Sequence, residues 1–436
     1  MKFSVCLFAL VALANASVYI PATFPKIFQL SELLWFKRPK IPQIILDTGH
    51  PWLADNKEWL SSYPNIRTAI CSKDSDLWTK PTTTQRALPL DLLTNITINN
   101  NKHGWSRLRW TFAGILLREL EACPAALEDV KNLDLHLYVR DFQYDTWTRD
   151  AKPPSELPLL FAGVLSKMPN LSTLRWEVQP KATDSFEDAL TKANVTLSNL
   201  KHLVDEGHNA WLVRRCPNLE KISISYVNSQ NPEWRFGDDP KLRWGQSSMA
   251  LINATEGLPL QSIHMAAMSW RSAVWMELLE AIVELHPNLT DIGIDGDVYN
   301  PAETGATPEK LPQLVESLAR FSNLKSLALP HSFQLGLGFD GGHWCGNAYG
   351  GASGRAYGRQ VAQEHAETIE KAANMAIEAL PQLKQLSFGG LQANLTVDED
   401  GKVELVWPWT GRMEEYTYDI WPEPEVEDSF DDKDEL

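Results

Sequence analysis

The amino-acid sequence predicts an α/β fold in which one helix–strand unit is repeated along much of the chain. A short motif, Pro-Asn-Leu or a close variant, recurs through the middle of the sequence, and alternating apolar residues follow it as in a strand with one buried face. Stretches with apolar residues at helical spacing precede most copies. The length of 436 residues fits one repeat array with caps better than two or three separate cores.

The first residues have the features of a secretory signal peptide. Met1-Lys2 is a basic start, residues 3–14 form a short apolar run, and Ala14-Asn15-Ala16 resembles a cleavage site made of small residues. The run is too short to span a bilayer. We therefore expect residues 1–16 to be removed, with a buried N-terminal helix as the alternative.

The last four residues, Lys433, Asp434, Glu435 and Leu436, match the signal that returns soluble proteins to the endoplasmic reticulum. They end an acidic tail, residues 423–436, in which eight acidic residues accompany one lysine. A solvated tail of this kind keeps the signal accessible. The sequence thus predicts a protein of the endoplasmic reticulum lumen that meets the KDEL receptor, with partial secretion as the alternative.

Charge and hydropathy exclude two classes of partner. The formal net charge is −16, whereas surfaces that bind nucleic acids or anionic lipids are basic. No apolar run beyond the signal peptide approaches the ~18 residues that a membrane helix needs. We expect no nucleic-acid partner and no membrane span.

Six Asn-X-Ser/Thr sequons are consistent with the secretory pathway. Two of them lie inside the repeat motif, where turn geometry is an alternative reason for the asparagine. The candidate glycosylation sites are Asn95, Asn170, Asn194, Asn253, Asn288 and Asn394.

Four cysteines remain once Cys6 leaves with the signal peptide, namely Cys71, Cys123, Cys216 and Cys345. An even number in an oxidising compartment suggests disulfide bonds, and four cysteines allow three pairings, among which the sequence does not choose. Cys123 and Cys216 each precede a proline, where a small buried thiol would also pack well.

Each copy of the motif combines a proline that ends a helix, a turn residue and a short strand. Residues 63–66 and 130–137 are further candidates, and Asp205 interrupts a weak copy. Good copies begin at Met168, Cys216, His286, Phe321 and Leu380, and weaker ones at Leu200 and Leu260. Helices are predicted at residues 155–167, 272–285, 307–320 and 362–380.

The Pro-Asn-Leu-x-x-Leu-x-Leu pattern resembles leucine-rich repeats of the ribonuclease-inhibitor-like kind, especially the irregular helix–strand repeats found beside F-boxes. The resemblance covers residues 126–392, with residues 17–125 as an N-terminal cap that contains degenerate repeats. It implies a solenoid with a curved parallel sheet, outer helices and a protein-binding role. No F-box-like segment is present in the sequence, and a lumenal protein cannot meet a cytosolic ubiquitin-ligase adaptor.

In such strands the residues between the inward apolar positions form rows on the concave face. One predicted row contains Arg175, Ser223, His264, Gly293, Ala328 and Ser387. The next contains Glu177, Ser225, Ala266, Asp295, Pro330 and Gly389. A solvated sheet surface is the alternative to a binding face. The candidate partner-binding residues are Arg175, Glu177, Ser223, His264 and Asp295.

A glycine-rich insertion at residues 330–361 is the place where catalysis would be sought. Glycine at this density predicts a long surface loop. His343 and Cys345 form a candidate nucleophile pair, but no third group that would orient a base is evident. Phosphate-loop, zinc, calcium and Gly-x-Ser-x-Gly spacings are absent from the sequence. We expect no metal and no cofactor.

The C-terminal part, residues 393–422, is predicted to be a hairpin cap. Residues 403–406 follow an Asp400-Gly401 turn, and Trp407, Trp409 and Trp421 are expected to seal the last repeat. A carbohydrate-binding platform is the alternative for these rings. Among the 17 tryptophans, Trp176, Trp211 and Trp275 are predicted to lie in the core.

Together these features predict a non-catalytic protein-binding scaffold of the endoplasmic reticulum lumen. The alternative is a lumenal or secreted enzyme that acts on glycans through the Gly-rich insertion.

Overall fold

The structure is a computed structural model. It describes residues 41–63, 65–72, 78, 87–99, 110–137, 140–141, 146–147, 152–178, 182–224, 244–266, 273–295, 297–299, 310–339, 341–343, 346–397, 403–407 and 409. The predicted signal peptide, Cys345, Trp421 and the acidic tail lie outside these residues.

The described strands are, in chain order, β1 (Asn95–Asn99), β2 (Asn132–Leu137), β3 (Arg140–Asp141), β4 (Thr146–Trp147), β5 (Thr173–Val178), β6 (His202–Asp205), β7 (Lys221–Ile224), β8 (Ser262–Ala266), β9 (Ala273–Trp275), β10 (Asp291–Asp295), β11 (Asp297–Tyr299), β12 (Ser326–Leu329), β13 (Gln385–Phe388), β14 (Leu391–Val397) and β15 (Val403–Val406).

The described α-helices are α1 (Gln43–Leu46), α2 (Pro51–Ser62), α3 (Ile66–Cys71), α4 (Trp110–Glu121), α5 (Pro124–Asp129), α6 (Glu156–Leu165), α7 (Thr183–Lys192), α8 (Ala210–Val213), α9 (Trp244–Asn253), α10 (Met276–Leu285), α11 (Lys310–Leu318) and α12 (Gly351–Ala379). Two 3₁₀ turns lie at Ser332–Gln334 and Gly346–Tyr349.

Eleven strands form one sheet in the order β1-β2-β5-β6-β7-β8-β10-β12-β13-β14-β15. The first nine are parallel, and β14 and β15 continue the sheet antiparallel. The strands therefore follow one another across the sheet in chain order, as expected for consecutive helix–strand units. Two small two-stranded sheets pair β3 with β4 and β9 with β11.

Alternation along the strands separates a helix-covered face from an open face. In β2 and β5 every second residue is buried, and these residues pack toward the helices. Trp176 of β5 is fully buried, with its ring centroid 5.4 Å from Phe161 of α6 and 5.5 Å from Phe186 of α7. Burial of one such ring contributes on the order of 3 kcal/mol. Trp176 and Trp211 thus lie in the core, as predicted.

The turn before each parallel strand, a Pro-Asn-Leu motif or a close variant in most units, sets the position at which the strand begins to pair. The anchor residue, a leucine in most units, is buried, and the carbonyl of the next residue accepts two backbone N–H groups from the following unit at 2.7–3.1 Å. We call this series of bonds the carbonyl ladder. Its acceptors are Thr94, Lys131, Ser172, Lys201, Glu220, Gln261, Thr290 and Lys325.

The asparagine of the motif adds a bond between neighbouring turns. Asn170 Nδ2 donates to the Glu128 carbonyl at 2.7 Å, and Asn199 Nδ2 donates to the Pro169 carbonyl at 2.6 Å. Asn218 donates in the equivalent way to the Ser198 carbonyl at 2.8 Å. The side chain thus satisfies a backbone acceptor that the turn would otherwise leave without a partner.

The prediction of a long loop at residues 330–361 is wrong for its second half. The helix α12 begins at Gly351, eleven residues before the predicted start at Ala362. Glycine at position 354 lets α12 pack closely against the adjacent 3₁₀ turn, because a Cβ there would clash with the backbone of Tyr349. Gly358, one turn later on the same face, would place a Cβ 3.5 Å from the Tyr349 ring.

Three smaller predictions also differ from the structure. Residues 273–275, including Trp275, belong to β9, so the helix predicted from Ser272 begins only at Met276. The candidate copy at Tyr63 leads into helix α3 after Asn65, whose backbone is left-handed (φ +57°). Asp205 does not interrupt β6, because the N–H groups of Gly207 and His208 donate to its buried carboxylate at 2.6 and 3.0 Å.

The predicted C-terminal hairpin is present as β14 and β15. Trp407 and Trp409 are stacked with 5.1 Å between ring centroids and are 4% and 1% exposed. Trp409 Nε1 donates to Glu370 of α12 at 2.8 Å, and the Trp407 ring lies 5.9 Å from that of Phe388 in β13. Buried rings in this position close the end of the core and are not accessible as a carbohydrate platform.

Within the described residues, none of the helices combines the length and the hydrophobicity that a bilayer crossing requires.

A disulfide bond joins Cys71, at the end of α3, to Cys123, which precedes α5. It selects one pairing from those that the sequence left open and ties the N-terminal helices to the first repeats. Cys216 is a free, fully buried thiol whose Sγ donates to the Leu212 carbonyl at 3.2 Å.

Replacing Cys71 and Cys123 by alanine should lower the free energy of unfolding by about 4 kcal/mol, because the bond closes a chain segment of 52 residues. Denaturant unfolding measures the effect, with Cys216→Ala as a control that should cost about 1 kcal/mol. Alkylation of both Cys71 and Cys123 in the denatured, unreduced protein would contradict the pairing.

Candidate functional site

The open face of the parallel sheet carries three rows of side chains in register. The first row runs from Asn95 to Gln385, and the third contains Asn99, His136 and Glu177. The middle row contains Thr97, Asp134, Arg175, Val204, Ser223, His264, Gly293, Ala328 and Ser387.

The middle row contains every member of the first predicted row. The strand pairings add Thr97 on β1, Asp134 on β2 and Val204 on β6 to it. The second predicted row is present where Ala266 pairs with Asp295. Ser225, from the same predicted row, lies outside the described residues.

A groove of about 580 Å³ lies over the middle of this face. Its floor consists of small residues, Gly293, Ala328 and Ser387, on three successive strands of the sheet. Larger side chains stand on both sides of that floor. They are Arg175, His202 and His264 toward β5 and His331 toward β13. The groove therefore exists because the floor side chains are short.

A closed ring of alternating charges lies at the β2–β5 end of the open face, and we call it the charge ring. His136 Nε2 is 3.0 Å from Asp134 Oδ1, and His136 Nδ1 is 2.5 Å from Glu177 Oε2. Arg175 contacts the same two carboxylates, with Nη1 2.9 Å from Glu177 Oε1 and Nε 3.5 Å from Asp134 Oδ1. The two positive and two negative charges of the ring cancel. Arg175 and Glu177 thus form their ion pairs with neighbours in the same sheet.

The charge ring shifts the pKa of its members. Burial alone lowers the pKa of His136, but the contacts with Asp134 and Glu177 outweigh it and raise the pKa to about 9. Burial raises the pKa of the Glu177 carboxyl, and the contacts with His136 and Arg175 bring it below its ordinary value. Glu206 follows β6 beside the charge ring, and burial raises its pKa to about 8 despite the charge of His136.

Two histidines of the groove, His202 and His264, are uncharged at neutral pH. Burial, with a smaller contribution from nearby Lys221, His264 and Arg175, lowers the pKa of His202 to about 4. Burial also lowers the pKa of His264, and Lys221 adds to the effect. His202 Nε2 and Ser223 Oγ are 3.0 Å apart and share a hydrogen bond.

Two histidine rings lie directly over glycines, one within the neighbouring strand β10 and one just after β13. A Cβ at Gly293 would lie 2.7 Å from His264 Nδ1, and a Cβ at Gly389 would clash with the His331 ring. His331 is stacked in turn on Phe333, with 5.5 Å between the ring centroids and a 13° angle between their planes. The glycines thus set how deep these rings lie, and through them the shape of the groove.

The arrangement offers little to nucleophilic catalysis. The His202–Ser223 pair lies near the cations Lys221 and Arg175, whereas in a Ser-His-Asp triad a carboxylate orients the histidine. Ser332 and His365 also share a hydrogen bond. The Ser332 side chain is fully buried, however, and burial lowers the pKa of His365 to about 4.

Metal binding has no candidate among the described residues, since no group of three or more acidic, cysteine or histidine side chains has a suitable arrangement. Imidazole and hydroxyl groups make up most of the polar lining of the groove. Groups of this kind can both donate and accept hydrogen bonds.

The structure brings together three of the predicted partner-binding residues, Ser223, His264 and Asp295, along the groove. Arg175 reaches its edge but belongs to the charge ring, as does Glu177. His343 lies beside Tyr357, whose hydroxyl accepts the His343 backbone N–H at 3.2 Å, while Cys345 lies outside the described residues.

Three histidines of the open face, His136, His202 and His331, were not identified from the sequence. The only signal for His202 was its place two residues after Leu200, in a weak copy of the motif. His136 lies in a stretch whose register was uncertain, and His331 lies in the predicted loop. Their roles depend on neighbours across strands, which the local sequence does not contain.

All six sequon asparagines are exposed. Asn95 lies on β1 and Asn394 on β14, near the two ends of the sheet, while Asn170 uses its amide to donate to the Glu128 carbonyl. None of the six is among the described residues that line the groove.

No protein-family model matches the chain, and no curated protein matches it either.

Replacing His136 by glutamine should lower the unfolding free energy at pH 6, since folding raises the pKa from 6.5 to about 9. The full shift would correspond to about 3 kcal/mol, and solvent screening at this partly exposed ring reduces the expected cost to about 1–2 kcal/mol. The stabilisation is complete below pH 6.5 and is lost as the pH rises through 9, so the variant should differ little from its parent at pH 10.

Denaturant unfolding at several pH values measures this difference. The parent and the His136→Gln variant should both carry Glu206→Gln. Ionisation of Glu206 also lowers the free energy of unfolding as the pH rises, and this change removes that effect. Lys167→Gln is the control, since its ion pair with Glu121 is exposed and should contribute less than about 1 kcal/mol. An effect of His136→Gln that does not change with pH would contradict the charge ring.

Proposed function

We propose that the chain is a non-catalytic, leucine-rich-repeat-like scaffold of the endoplasmic reticulum lumen that binds another protein through the open face of its sheet. The observation that carries the proposal is the uninterrupted register of nine parallel strands. It sets out two rows of side chains across all nine strands, with a groove over their middle.

A repeat solenoid accounts for the order of the strands. Each unit adds one strand beside the previous one, and the same carbonyl ladder joins successive units. In solenoid proteins this arrangement gives an extended face on which partners bind. Eight spacings of about 4.8 Å make the face about 38 Å wide between β1 and β13, wide enough for a protein partner.

The composition of the face supports binding over catalysis. The charges of Arg175 and Glu177 are paired within the charge ring, and the floor of the groove is made of small residues. The lowered pKa of His202 keeps its imidazole neutral. Interfaces likewise keep charges away from their centre and place polar groups at the rim.

The disulfide supports an oxidising compartment. Together with the signal peptide predicted at residues 1–16 and the C-terminal residues 433–436, it favours the endoplasmic reticulum lumen. The KDEL receptor is then a second partner, bound through the tail and independent of the groove.

Replacing Ala328 by arginine should abolish capture of the partner, because the long side chain would fill the floor of the groove. The affinity-tagged protein is purified from microsomes after reversible cross-linking, and captured proteins are quantified by mass spectrometry. The control is Ala250→Arg, the same substitution at an exposed position on α9. We expect at least a tenfold loss for Ala328→Arg alone, and equal capture by both variants would overturn the proposed face.

Deleting residues 433–436 should move the protein from the microsomal fraction to the medium, because return from later compartments requires the signal. Replacement of the same four residues by alanines is the matched variant. If the unaltered protein is secreted as fast as the protein without residues 433–436, lumenal retention is contradicted. This result does not depend on what the Ala328→Arg experiment shows.

A further inference from the structure

Among the described residues, the centre of the groove has no charged group that is free to pair with a charged ligand. Arg175 is held by Glu177 at 2.9 Å, and burial lowers the pKa of both His202 and His264, so these two rings are neutral. Asp295 stands at the edge of the groove and is exposed to solvent. A strongly acidic or basic ligand would therefore lose hydration without gaining a matched partner.

The floor of the groove also has few backbone groups to offer. It is the face of a sheet, and the N–H and C=O groups of its strands are used in pairing with the strands on either side. An extended peptide binds most strongly where it can add to a sheet edge through its own backbone. Recognition in this groove has to use side chains.

Those side chains are suited to hydroxyl groups. A neutral imidazole has one donor and one acceptor, and the hydroxyls of Ser223 and Ser387 can each donate and accept. Within the part of the chain that the structure describes, the ring of His264 has no hydrogen-bond partner. A polyol presents donors and acceptors on the same atoms and matches this mixture.

An exposed aromatic ring lies next to the groove. Phe333 is 46% exposed and is stacked on His331, which lines the groove at its β13 side. Phe333 thus supports the His331 ring at that side of the groove. The volume of about 580 Å³ lies in the range of sites for small ligands.

We propose that the groove between His202 and His331 binds an uncharged sugar residue, with hydroxyl groups bonded by His264, Ser223 and Ser387. This inference rests on the proposed function, since the sugar would be carried by the glycoprotein partner that the open face binds. It adds the chemical class by which that partner is recognised.

The test is titration of the chain spanning residues 17–436 with D-mannose, D-glucose and N-acetyl-D-glucosamine, followed through the imidazole NMR signals of His264 and His202. At least one sugar should give saturable shifts with a dissociation constant on the order of 1 mM. Gly293→Ala should weaken binding at least tenfold, because the added Cβ displaces the His264 ring. Gly163→Ala is the matched control, since a Cβ there meets nothing within 4 Å.

A second variant, Ser387→Ala, removes one hydroxyl from the floor without adding bulk and should also weaken binding, which keeps the test valid if Gly293→Ala fails to fold. Absence of saturable shifts with all three sugars would overturn the inference. Tighter binding at the same signals by a Gly-Ser-Asn peptide that is blocked at both ends would overturn it as well.

The inference and the proposed function can fail separately. If lumenal proteins are captured equally well before and after enzymatic removal of their N-glycans, the scaffold function stands and the sugar site is wrong. If a free sugar binds but Ala328→Arg leaves protein capture unchanged, the sugar site stands and the protein-binding face is wrong.

Discussion

The carbonyl ladder is the constraint on which the rest of the structure depends. At each step, one carbonyl directly after a buried anchor residue accepts two backbone N–H groups from the next unit, as when Lys201 and His202 both donate to Ser172. This fixes the first paired residue of β2 and of every later parallel strand in the main sheet. Because side chains alternate between faces, a slip of one residue in any strand would turn its core leucines toward solvent. The ladder and the burial of the anchors therefore enforce the same register.

This constraint explains how the repeats can be so irregular in length. The anchors Leu171, Leu200, Leu219, Leu260, Leu289, Leu324 and Leu383 are separated by 29, 19, 41, 29, 35 and 59 residues. Since the turn before the strand sets the register, the chain between one strand and the next anchor can vary without disturbing the sheet. The longest interval contains α12, whose glycines allow a 3₁₀ turn to pack against its first turns. Long segments are thus added outside the ladder at little energetic cost.

The sequence predicted the parts of the fold that are encoded locally. The motif contains its own turn, anchor and alternating strand, so the middle row could be placed in register from Arg175 to Ser387, except for Val204 in a weak copy. Other features depend on distant residues. The ladder carbonyl of Thr94, at the start of β1, follows Leu93 without a Pro-Asn-Leu motif. Residues 351–361 are helical where Gly354 and Gly358 pack closely against Tyr349. The charge ring could not be predicted because two of its contacts, His136 with Glu177 and Arg175 with Asp134, join different strands.

The open face is divided by what its side chains already contact. Near β2 and β5 the residues that stand out in the sequence, Arg175 and Glu177, bond to one another and to their neighbours, so they hold two strands together. Near β10–β13 the residues are small, and there the groove is open. A partner gains most where side chains have unused hydrogen bonds and where its own atoms can reach the sheet. Under the proposed function, specificity at this face would depend on Gly293 and Ala328 as much as on the polar groups, because a larger side chain at either position would fill the groove.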